Sequence, residues 1–124
     1  MLVYGHHLGI ALEDRPGLSS HDPAGVRAAA MRGLSQGSWN RVQAGREAPF
    51  DLAVVWRPYR SASGGLGIGP IHCGVVTRPG RLIHCDPDCG TTEIAYAPEP
   101  HLTLQSRRIE FFRHRECLPR GAAP

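Results

Sequence analysis

The segment HCGVVTRPGRLIHCDPDCG, residues 72–90, carries two His-Cys pairs twelve residues apart, His72-Cys73 and His84-Cys85, with a further cysteine at Cys89. Imidazole exchanges a proton near neutral pH, and a thiolate is both a nucleophile and a soft metal ligand. Three chemistries are therefore open: nucleophilic catalysis by a thiol with a histidine base, a metal centre, or none beyond a β-hairpin. Cys85 and Cys89 have CxxxC spacing, and Cys73 and Cys117 complete a set of four cysteines. Four thiolates can hold zinc or an iron-sulfur cluster, and the two histidines could bind a metal with Asp86 or Asp88. CxxxC is less specific than paired CxxC knuckles, so no cofactor is expected. Zinc or a cluster on Cys73, Cys85, Cys89 and Cys117 remains the alternative, as does a disulfide such as Cys85–Cys89 or Cys73–Cys117.

These residues must be positioned by strands. IHCGVVT and RLIHC flank Arg78-Pro79-Gly80 as a hairpin. Successive strand residues point to opposite faces, so His72 and Cys73 cannot act on one side, and neither can His84 and Cys85. The two histidines share one face and the two cysteines the other if Cys73 lies opposite Cys85, a register that requires an odd-length loop or a bulge at Arg78-Pro79-Gly80. In that register no cysteine of the hairpin can serve either histidine. A longer loop is expected over a two-residue Pro-Gly turn, because primed hairpin turns need a positive φ that proline cannot adopt.

Around the hairpin, residues 1–21 read as an irregular lead-in broken by Gly5, Gly9, Pro16 and Gly17. Residues 22–36 read as a helix, with Asp22 as N-cap, Pro23 at its first position, Val26, Ala29, Ala30 and Leu34 on the buried face, and Gly37 as its stop. Trp39 opens a polar connection, PFDLAVVWRP reads as a buried strand, and YRSASGGLGIGP reads as a surface loop with no phosphate-binding pattern. TTEIAYAP and LTLQSRRIEFFRH give two more strands. The expectation is a single α+β domain over residues 1–124. It comprises the helix and an antiparallel meander of about four or more curled strands within 48–117, followed by a tail at 118–124.

The 124-residue chain carries 14 basic and 11 acidic residues for a net charge of +3, and every basic residue is arginine. Arginine-only usage reads as a genome's base composition more readily than as a nucleic-acid function, and no specific nucleic-acid partner is expected. Five arginines fall in the last eighteen positions, and arginine pairs carboxylates through its planar fork. Phe111, Phe112, Arg113 and Arg115 are therefore candidates for an interface with an acidic partner, where of the two adjoining phenylalanines one faces the core and the outward one is the anchor. No stretch approaches the roughly 20 apolar residues of a membrane span, and the N-terminus lacks the order of a signal peptide.

The hairpin IHCGVVTRPGRLIHC resembles that of the NlpC/P60 cysteine peptidases, in which a His-x-Gly strand is followed twelve residues later by a second histidine or other polar residue. FDLAVVWRP is similar to the family's Gly-Asp strand, with Phe50 where glycine is usual, and RRIEFFRH resembles the closing strand of its phage-tail branch. The order of LVYGHHLGIALEDRPGL, the helix and Trp39 follows the same branch. The resemblance implies a truncated papain-like core in which His72 is the general base and His84 its orienter. It also places the nucleophilic cysteine and its helix before Met1, outside this sequence. The implied function is a structural component of a phage tail tip or hub, or of a tail-like particle, on a degenerate and inactive peptidase fold. Its partners would be other tail tip or hub proteins and, in some settings, peptidoglycan, and its location the virion tail tip after assembly in the bacterial cytoplasm. The alternatives are an active peptidoglycan peptidase whose cysteine comes from another chain, and a metal- or cluster-binding tail module.

Overall fold

The computed structural model describes residues 23–61, 63–86, 90–106 and 108–117. The expected lead-in 1–21, the tail 118–124 and Cys89 lie outside these residues. The helix α1 spans Pro23–Ser35; it ends one residue before the expected C-terminal boundary, and the expected N-cap Asp22 lies outside the described residues. Ala29 is buried and Val26, Ala30 and Leu34 are half-buried. The chain leaves the helix through Gly37 at φ +83°, a left-handed conformation that costs glycine no Cβ clash.

The rest is sheet. Strands β1 (Trp39–Val42), β2 (Leu52–Arg60), β3 (Leu66–Arg78), β4 (Arg81–Asp86), β5 (Gly90–Ala95) and β6 (Arg108–His114) form one antiparallel sheet in the order β1-β6-β2-β3-β4-β5. A 3-10 turn, Arg115–Cys117, follows. This overturns the expected α+β class and truncated papain-like core: six strands with one short helix make a mostly-β protein. Three local differences account for it. The connection after Trp39 is the edge strand β1. The final strand β6 does not extend a meander, but inserts between β1 and β2, with Leu52 opposite Phe112 on one side and Trp39 opposite His114 on the other.

The third difference is the Gly/Ser segment, whose described residues are loop only at Ser61 and 63–65, closed by bonds from Ser61 N–H to Gly65 C=O at 2.8 Å and from Gly64 N–H to Ser61 C=O at 2.9 Å. Its glycines serve close approach rather than looseness. A Cβ on Gly67 would stand 2.9 Å from the Tyr59 ring, and one on Gly69 would stand 2.8 Å from Arg27 Cδ of α1. The β2–β3 hairpin is thus long, and α1 lies along its inner side.

The sheet curls around one core. Ala53, Val55, Val76, Leu82, Ile94, Tyr96, Leu104 and Phe111 cluster there, with Val42 and Ile109 packed against them. Each fully buried aliphatic side chain contributes about 1.5–3 kcal/mol. Tyr96, just after β5, meets Phe111 of β6 at 5.4 Å between ring centroids although three strands separate β5 from β6 in the sheet, which fixes the curvature. The return segment between β5 and β6 covers the concave side, where Leu104 is fully buried. Tyr96 Oη donates to Glu47 Oε2 at 2.5 Å and ties the end of β5 to the loop before β2. Burial opposes ionisation of Glu47, but this bond and backbone N–H donors outweigh it and hold the carboxyl below its ordinary range. A smaller cluster on the convex side joins Val75 to Trp39, Phe50 and Cys117.

Candidate functional site

The His-Cys hairpin is β3–β4, and its register has the even sum that shared faces require: Val75 pairs with Ile83 and Val76 with Leu82. The bulge falls at Thr77, before the turn. The turn itself is the two-residue Pro79-Gly80 connection, not the longer loop expected, because Arg78 pairs with Arg81. Gly80 takes φ +94°, so proline sits where φ is negative and glycine where it is positive, as in a type II turn. The bulge then restores the register that a simple two-residue turn would break.

On β3, His72 pairs with Val55 and Cys73 with Val54, so His72 shares the concave face with the core and Cys73 projects from the convex face. His84 follows Leu82 on the concave face of β4, and Cys85 projects oppositely. The histidines meet: His72 Nε2 lies 2.7 Å from His84 Nδ1, with the rings edge-to-face at 4.9 Å. One nitrogen donates and the other accepts, so each ring fixes the orientation of its neighbour. His84 is only 3% exposed, while His72 is half-buried.

Gly74 makes this contact possible. A Cβ there would stand 2.6 Å from the Ile83 carbonyl oxygen, 2.8 Å from Leu82 Cδ1 and 3.4 Å from His84 Cβ. Glycine between His72 and Val75 therefore lets β4 approach closely enough for the second imidazole to reach the first.

The described cysteines stand elsewhere. Cys73 and Cys85 are exposed and free, and Cys117 is free and half-buried in the convex cluster. Burial, reinforced by the nearby Asp51 carboxylate, pushes the Cys117 thiol up and disfavours its thiolate. Neither a Cys73–Cys117 disulfide nor a group of three or more metal-ligating side chains is present among the described residues. Asp86 closes β4, and Asp88 and Cys89 lie outside the description.

The candidate interface residues divide between core and surface. Phe111 is 4% exposed and belongs to the core. Arg113 is spent internally: its Nε donates to Asp51 Oδ1 and its Nη2 to Asp51 Oδ2, each at 2.7 Å. Alternation along β6 turns both to the concave face, so Phe111 is the member of the adjoining pair that faces the core and Arg113, a quarter exposed, is engaged by Asp51. Phe112 is half-buried with the Arg41 guanidinium 5.7 Å over its ring, and Arg115 is exposed.

Asp51 escaped the sequence reading as a structural residue. It is 1% exposed and also accepts from Ala48 N–H at 2.8 Å, so it joins the loop before β2 to β6. An acid opening an apolar run was its only signal. Beside it, Phe50 adopts φ +72°, the left-handed conformation that favours glycine, at the position where the resembled strand carries glycine.

No helix of the described residues is long and apolar enough to cross a membrane. Comparisons with protein-family models, curated proteins and solved structures give no match.

Proposed function

We propose that this chain is a structural component of a phage tail tip or hub, or of a tail-like particle, whose histidine hairpin derives from an NlpC/P60 peptidase and no longer cleaves. The carrying observation is the separation of groups across the sheet. A His72–His84 pair at 2.7 Å stands on the concave face, while Cys73 and Cys85 leave from the convex face. A base and its orienter can activate a thiol only within hydrogen-bond reach. None of the three described cysteines offers that contact, and the least exposed, Cys117, has its thiolate disfavoured.

The test is incubation with peptidoglycan stem-peptide fragments beside a His72→Ala control, read by mass spectrometry. The expected result is no cleavage that depends on His72. His72-dependent release of a shortened peptide would overturn the inactive assignment and favour a peptidase completed by another chain's cysteine. For the tail assignment, mass spectrometry of purified particles from the source should find this chain in the tail tip fraction. Its absence from purified particles would overturn that assignment.

A further inference from the structure

The β2–β3 hairpin extends past its neighbours. Strand β6 pairs with β2 only through Trp56, and β4 pairs with β3 only from Val75 onward. Beyond those points residues 57–60 and 66–69 form a two-stranded arm, with no third strand beside it among the described residues. The inner face is occupied, since Arg27 of α1 lies over Gly69.

The outer face is different. Pro58 pairs with Ile68 and Arg60 with Leu66, so these side chains emerge on one side, beyond a base where Trp56 is half-buried and Pro70 fully buried. Leu66 is 78% exposed and Ile68 is 53% exposed. The Arg108 guanidinium sits 3.9 Å over the Trp56 ring, and Arg60 is exposed at the arm's end. Residues 57–60 and 66–69 include no aspartate or glutamate, and of the arginines there Arg60 borders the strip while Arg57 shares the inner face with Gly69. An apolar strip, basic groups at its border and strand edges that no other strand of the described residues pairs therefore coincide on one element.

We propose that the outer face of this arm docks an acidic, apolar-bearing segment of a neighbouring protein, added as an extended strand along the arm. Strand addition satisfies the open backbone edge, and alternate apolar side chains cover Leu66 and Ile68. Acidic residues on that segment complement Arg60 and compete with Glu110, 3.5 Å away, for Arg108, whereas a second copy would bring a like-charged arm. This inference concerns a surface apart from the histidine pair and stands independently of the tail assignment.

The test uses the full chain and a fluorescein-labelled peptide of alternating glutamate and valine, read by anisotropy at low and high salt. A lysine-valine peptide and phosphatidylglycerol vesicles are the comparison probes. The acidic peptide should bind saturably and weaken with salt. Leu66→Asp with Ile68→Asp should lower its affinity about tenfold or more. Arg60→Glu should weaken the acidic peptide and strengthen the lysine peptide, while Leu102→Asp, at another exposed leucine, should change neither; circular dichroism confirms that each variant folds. Equal affinity for both peptides, or indifference to the Leu66/Ile68 pair, overturns the proposal. So does vesicle binding without peptide binding, or a concentration-dependent dimer abolished by Ile68→Asp, which would assign the face to a membrane or to a second copy.

Discussion

At the scale of single residues, two neighbours before β2 set opposite demands. Phe50 holds φ +72° while its side chain packs on the convex cluster. A non-glycine residue in left-handed geometry costs about 1–2 kcal/mol, so strain offsets part of what its packing contributes. Removing the ring should therefore destabilise less when glycine replaces it than when alanine does. We expect Phe50→Gly to be about 1 kcal/mol more stable than Phe50→Ala in urea unfolding, the reverse of the usual order. Asp51, next to it, accepts both Arg113 bonds and an amide from within the interior. Asp51→Ala should cost about 3 kcal/mol by the same measurement, since it strands a guanidinium beside an unpaired amide. The sequence marked the histidines and the twelve-residue spacing, but not the role of Asp51, whose partner lies 62 positions away.

At the scale of elements, the hairpin shows how glycine changes meaning with context. Gly74 faces the Ile83 carbonyl, whereas Gly33 of α1 has nothing within 4 Å of an added Cβ. Gly74→Ala should destabilise by about 2–4 kcal/mol, as overpacking does in a tight site, and should shift the His84 imidazole resonances in NMR. Gly33→Ala should stabilise by about 0.5–1 kcal/mol, by propensity and reduced unfolded-state entropy. An outcome in which both substitutions behave alike would contradict the close approach of β3 and β4. Pleat parity made the His face and Cys face legible in advance, because alternation is a local property of extended chain. The turn was misjudged for its length, since the bulge that corrects the register sits one residue outside it. The Gly-rich segment was misjudged as loop because local composition does not show that Tyr59 and Arg27 fill the space above its glycines.

For the molecule as a whole, curvature and charge together set pH behaviour. His114 is buried against Trp39, 5.0 Å away edge-to-face, and its Nδ1 accepts from Glu116 N–H at 3.2 Å. Burial lowers its pKa from the ordinary 6.5, reinforced by Arg115 and opposed by Glu116. Above 6.5 the ring is neutral in both states and the contribution is intact. As pH falls below that value, the unfolded chain takes up a proton that the folded ring resists, so stability declines toward the lowered folded value. Urea unfolding across this range should show a decline that His114→Phe reduces, and identical slopes for the two proteins would refute the assignment. By itself the sequence determined the helix, the histidine hairpin and the opposite facing of each histidine and its neighbouring cysteine, all consequences of short-range periodicity. Only the tertiary structure decided the mostly-β architecture, the insertion of β6 between β1 and β2, and which of the adjoining Phe111 and Phe112 faces the core. Those depend on which distant strands share hydrogen bonds and how far the sheet curls, and alternation within one strand carries no record of either.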